Sequence, residues 1–128
     1  MDTDNRKKIL VVDDDEDIVK VISFRLSASG FNVITAFDGE EGLKKVKIHN
    51  PDLVVADLTM PGLNGWQMSL KLKQDEKYKN IPVIILSALV DKEGLAGDAE
   101  VGDYYLAKPF DADKLMAKIN ELLPKGNT

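Results

Sequence analysis

The stretch Asp52-Leu53-Val54-Val55-Ala56-Asp57 sets four apolar residues in an unbroken run and closes it on an acid. A strand with one wet face alternates apolar and polar residues. A continuous run of this length marks a strand covered on both faces, as in a parallel sheet between two layers of helices. Working outward, comparable runs occur at Ile9–Val12, Asn32–Ala36, Val83–Leu86 and Tyr104–Ala107. Longer stretches with helical spacing separate them.

The first of these stretches places Ile18, Ile22 and Leu26 on one helical face, and Gly30 stops it as a C-terminal cap. A second helix is expected from about Gly39 to Lys47, with Asn50-Pro51 closing the loop behind it. A third opens after Gly65 with Met68 and Leu72. The last carries Leu115, Ile119 and Leu122 and ends at Pro124 and Gly126. The expected fourth helix, Asp91 to Glu100, contains Gly94 and Gly97, each costing about 1 kcal/mol against alanine in a helix interior. Its only apolar residues are Leu95, Ala96 and Ala99, so it is predicted to be short, frayed or mobile. Strand followed by helix, five times, predicts an α/β fold with parallel strands and right-handed crossovers.

The chain has 128 residues, enough for one domain over 1–128 with a core at about 6–123 and short polar tails. Apolar residues make up 44% and charged residues 30%, the balance of a chain that folds into a real core. Cysteine is absent, which excludes disulfides and thiolate metal sites. No stretch has the length of a membrane span or the apolar core of a signal peptide, so a cytoplasmic protein is expected. The net charge of −5 disfavours direct binding to nucleic acid or anionic membranes.

In an open parallel sheet, ligands bind beyond the carboxyl ends of the strands. The residues expected there are Asp13-Asp14-Asp15-Glu16-Asp17 after the first strand, Asp57 after the third, Ser87-Ala88 after the fourth and Lys108-Pro109 after the fifth. Clustered carboxylates repel, and a hard divalent cation with oxygen ligands removes that repulsion. Zinc is a poor candidate, because the only histidine is His49 in a loop. Carboxylates, Mg²⁺ and a lysine together describe phosphoryl transfer. Asp57 stands alone at the end of the central strand and is the expected nucleophile, attacking phosphorus to give an acyl phosphate. Asp13 and Asp14 are the expected metal holders. The blander reading keeps Asp15 and Asp17 as helix-capping acids, His49 at the surface and Trp66 partly exposed at a helix start.

Four segments in order carry a resemblance. Ile9-Leu10-Val11-Val12-Asp13-Asp14, the run from Pro51 to Gly62, Ile81-Pro82-Val83-Ile84-Ile85-Leu86-Ser87-Ala88 and Tyr105-Leu106-Ala107-Lys108-Pro109-Phe110 look like the receiver domain of two-component response regulators. The likeness covers about residues 6 to 123. It implies a flavodoxin-like, doubly wound five-stranded parallel sheet in the order 2-1-3-4-5, flanked by five helices. It also implies that Asp14 ligates Mg²⁺ directly and Asp13 through water, with Asp57 and the backbone carbonyl of Thr59 as further ligands; Mn²⁺ is able to substitute. Asp57 is then the phosphoacceptor, served by a sensor histidine kinase or a histidine phosphotransfer protein.

By the same resemblance Lys108 pairs with one phosphoryl oxygen and the Ser87 hydroxyl with another. Ser87 and Tyr105 form the switch, read by a downstream effector on the fourth helix, fifth strand and last helix. Thr59 and Leu89 occupy positions that tune hydrolysis in that family. From the residues themselves, a cis bond at Pro109 is expected to point Lys108 inward. The segment from Ser87 to Lys108 is about one residue short of the family's common pattern, and Val101-Gly102-Asp103-Tyr104 departs from it. A monomer is expected, with self-phosphorylation and self-dephosphorylation as its only chemistry. Two rival readings remain: a metal-dependent phosphohydrolase, suggested by Asp13-x-Asp15, and a degenerate receiver that acts only as a binding module.

Overall fold

The computed structural model describes residues 6–58, 60, 62–87, 104–108 and 110–123. The expected helix at 91–100, the Val101–Asp103 departure, Leu89, Thr59, Pro109 and both tails, including Pro124 and Gly126, lie outside the described residues.

Five strands form one sheet: β1 (Lys8–Val12), β2 (Asn32–Ala36), β3 (Leu53–Asp57), β4 (Val83–Ser87) and β5 (Tyr104–Ala107). Their order is β2-β1-β3-β4-β5, and every neighbouring pair is parallel. Four helices are described: α1 (Glu16–Ala28), α2 (Gly39–His49), α3 (Gly65–Lys73) and α4 (Ala112–Leu122). The expected sheet and its doubly wound, flavodoxin-like order are therefore present.

The unbroken apolar runs are explained by two cores. Ile9 and Val11, Leu53 and Val55, and Ile84 and Leu86 face one cluster, which α1 and α4 cover with Val19, Ile22, Leu26, Leu115 and Ile119. The alternate residues Leu10 and Val12, Val54 and Ala56, and Val83 and Ile85 face the other, covered by Val46 of α2 and Met68 and Leu72 of α3. The central strands keep their period of two with both faces dry, while the edge strands β2 and β5 are mostly half-buried.

Local chemistry sets the helix ends. Asp15 caps α1, its side chain accepting from the Asp17 and Ile18 N–H groups, and Gly30 follows the helix at φ 96°. Asp38 caps α2, and Asn50 ends it in the left-handed region at φ 51°. Asn64 and Gln67 form a reciprocal capping box on α3, which explains why that helix includes Gly65 rather than opening after it. One detail of the face of α1 is corrected. Val19, not Ile18, is the buried residue in its first turns, with Ile18 only partly covered at the margin of the core.

The packing of α4 generates a direct test. Ile119 is fully buried between α4 and the sheet. Ile119→Ala is expected to cost about 2–5 kcal/mol of unfolding free energy in urea titration, because the transfer loss adds to an unfilled cavity. A loss below about 1 kcal/mol would show that α4 is not seated on the sheet as described.

Candidate functional site

Parallel strands deliver all their carboxyl ends to one edge, and the backbone pairing continues past them. The Asp13 N–H donates to the Ala36 carbonyl (3.1 Å), the Leu58 N–H to Leu86 (2.7 Å) and the Lys108 N–H to Ser87 (3.0 Å). Asp13, Asp57 and Lys108 thus sit on backbone held by the sheet itself.

Asp13 and Asp57 are buried, at 1% and 5% exposure, while Asp14 is exposed beside them. One carboxylate oxygen from each of Asp13, Asp14 and Asp57 falls within a common 4.8 Å. The Lys108 Nζ donates to Asp13 Oδ2 at 3.0 Å and pairs with Asp57 Oδ1 at 3.4 Å. Asp13 Oδ1 accepts from the Asp15 N–H at 2.9 Å, so both oxygens of Asp13 are oriented by the protein. Three hard oxygen donors converging on one point form a set suited to a small divalent cation that keeps part of its water shell. The donor set therefore fits Mg²⁺.

Ser87 is fully buried at the end of β4, one residue beyond Leu86, the register partner of Asp57. Tyr105 pairs in register with Ile85 and packs against the core under α2 and α3. Ser87 and Ile85 share strand parity, so Ser87 and Tyr105 belong to the same face of the sheet. The Thr59 carbonyl, expected as a ligand, lies outside the described residues. Asp15 does not join the acidic cluster; its carboxylate is engaged as the cap of α1, as the blander reading has it. That removes one of the two acids on which the phosphohydrolase reading rests. Trp66 is half-buried in the first turn of α3; His49, expected in a loop, is instead the half-buried last residue of α2, its carbonyl accepting from the Lys8 ammonium at 3.1 Å.

Beside Asp14 opens a cleft of about 390 Å³ lined by Phe37, Asp38, Glu40, Gly62 and Leu63. Of these residues only Gly62 belongs to a segment with a recognisable sequence pattern. Their run Phe37-Asp38-Gly39-Glu40 reads as an ordinary turn and helix start, and only the neighbouring strand brings it to Asp14.

These features define a class first: a doubly wound α/β domain with a carboxylate triad and a lysine at the carboxyl edge of its sheet. The family model for the response regulator receiver domain matches residues 9–120, and the chain belongs to that family. A probable transcriptional regulator, ycf27, of Cyanophora paradoxa is 43% identical over 120 residues, covering 93% of this chain and 49% of that protein. The chain spans about half the length of the curated relatives it matches. The receiver domain of a Francisella response regulator is 37% identical with a TM-score of 0.81, covering 91% of this chain and 96% of that one. The receiver domain of a Pseudomonas aeruginosa sensor histidine kinase, solved with a magnesium ion coordinated in its active-site cleft, is 26% identical with a TM-score of 0.81. That match covers 92% of this chain and 98% of the other. No described helix is long and apolar enough to cross a membrane.

The electrostatics of Lys108 make a pH prediction. Burial alone pushes its ammonium down, but the hydrogen bond and charge of Asp13 and the charge of Asp57 outweigh that, leaving the pKa above its ordinary 10.5. A pKa raised on folding contributes stability that is fully present below the unfolded value, about 10.4, and is lost as pH rises through the folded value. The stability difference between the wild type and Lys108→Met, measured by urea denaturation in chelator, should hold steady near neutrality. It should shrink once pH exceeds about 10.4. A difference that grew in that window would contradict the arrangement.

Proposed function

We propose that the domain accepts a phosphoryl group on Asp57 from a phosphohistidine donor, with Mg²⁺ held by Asp13, Asp14 and Asp57. The observation that carries this reading is the convergence of those three carboxylates with the Lys108 ammonium on one point at the sheet edge. When bound, the metal supplies charge neutralisation for the carboxylates and the phosphoryl oxygens.

The protein's own residues account for the rest. β3 is buried and paired on both sides, so the Asp57 carboxylate is presented in one place with little freedom to lose. An Asp57 oxygen attacks phosphorus in line; the P–N bond of the donor breaks, and its electron pair returns to the imidazole nitrogen. Lys108, already within 3.4 Å of Asp57, pairs with an oxygen of the transferred group. The acyl phosphate replaces the single charge of the Asp57 carboxylate with close to two, spread over three phosphoryl oxygens at the edge. Ser87 and Tyr105, on one face of adjacent strands, form the switch that reports that charge to β5 and the helices beside it. Hydrolysis of the acyl phosphate resets the domain.

The partners follow from this chemistry: a sensor histidine kinase or histidine phosphotransfer protein upstream, and an effector reading the switched surface downstream. We read the unit as a single receiver domain over 1–128, acting as a monomer in the cytoplasm without contacting nucleic acid itself. Relatives about twice as long are transcriptional regulators, so in a longer chain the effector could be a covalently attached domain.

Incubation with acetyl phosphate and Mg²⁺, followed by mass spectrometry, should add about 80 Da per chain. Asp57→Asn should abolish the adduct, and chelation of Mg²⁺ should slow its formation by at least about tenfold. An adduct retained at full yield in Asp57→Asn would assign the wrong acid. No adduct in the wild type would favour a receiver that only binds.

A further inference from the structure

The backbone of Asp57 is touched by an element with no chemistry of its own. Gly65, the first residue of α3, is buried, and its N–H donates to the Leu58 carbonyl at 3.1 Å. A Cβ placed on Gly65 would collide with the Asp57 carbonyl oxygen, and would lie 2.8 Å from the Asp57 carbonyl carbon and 3.3 Å from the Leu58 Cα. Every one of these obstacles is main chain, with no flexible tip to swing aside.

Neither side can retreat without loss. On one side, α3 is anchored by Met68, Ser69 and Leu72, all buried, and by the Asn64–Gln67 capping box. On the other, β3 is paired to β1 and β4, and Leu58 still bonds to Leu86. The end of β3 is the weaker partner, since pairing to β1 ends at Ala56. A methyl group at residue 65 therefore presses on Asp57.

We propose that Gly65 is a positioning residue for the phosphoryl acceptor: its missing side chain lets the first turn of α3 seat directly on the Asp57 peptide. That seat sets the height of the Asp57 carboxylate against Asp13, Asp14 and Lys108. The inference rests on the reading of Asp57 as the acceptor.

Ile119 supplies the control. It is fully buried in the core covered by α1 and α4, on the face of the sheet opposite Met68 and Leu72 of α3. The measurement is the initial rate of the acetyl phosphate adduct at saturating Mg²⁺, alongside urea midpoints and circular dichroism. Gly65→Ala should fold yet react at least about tenfold more slowly, because misplacing a reacting group by about 1 Å costs on the order of a hundredfold. Ile119→Ala should stay within about twofold of the wild type, even if its urea midpoint falls as far.

A second variant, Asn64→Ala/Gln67→Ala, loosens the same seat without adding bulk and should slow the reaction by at least about threefold. This double variant decides the matter should Gly65→Ala fail to fold. Rates within twofold of the wild type in every folded variant of the seat overturn the inference, as does an equal loss in Ile119→Ala. Absence of any adduct in the wild type instead overturns the acceptor reading itself.

Discussion

Asp13 and Asp57 hold two carboxylates almost out of solvent at the same edge of a sheet, and Asp14 adds a third from the solvent side. Two unit charges about 4 Å apart at an effective dielectric near 20 repel by roughly 4 kcal/mol, which is a large share of a domain's net stability. The Lys108 ammonium, bonded to Asp13 and close to Asp57, offsets part of that repulsion. Among the described residues, one cation against three carboxylates leaves an excess of negative charge. That excess suits the site to a small divalent ion with oxygen ligands.

The sheet makes this concentration of charge possible. Asp13 and Lys108 are 95 residues apart in the chain, yet they meet because parallel strands all leave the sheet at the same edge. β3 lies between β1 and β4, so Asp57 receives Asp13 and Asp14 from one neighbour and Ser87 from the other, with Lys108 arriving from β5 one strand further out. The two dry cores hold those strands at fixed heights, and α3 seated on the Asp57 peptide adds a contact from below. A loop-borne acid would lack all three restraints.

Leu53 to Ala56 announced a strand covered on both faces, because only a doubly dry environment tolerates four apolar residues in succession. Asp57, Asp13 and Lys108 were legible as neighbours at one edge because each follows such a run, where the chain leaves the sheet at the carboxyl ends of its strands. The face of α1 was less legible. Ile18 and Val19 are both apolar, and helical spacing accommodates either; the direction from which the sheet approaches selects Val19. Gly65 carried no signal at all, since a glycine at a helix start has many ordinary reasons to be there.

By itself, then, the amino-acid order determined the class of fold and the identity of the polar groups at its edge. Apolar periodicity, capping residues and chain length are local properties that survive being read one segment at a time. Only tertiary structure decided the distances: which two oxygens Lys108 bridges, the cleft that Phe37 and Asp38 open beside Asp14, and the close seat of Gly65 on Asp57. Those depend on how far one packed element stands from another, and no single segment carries that separation within itself.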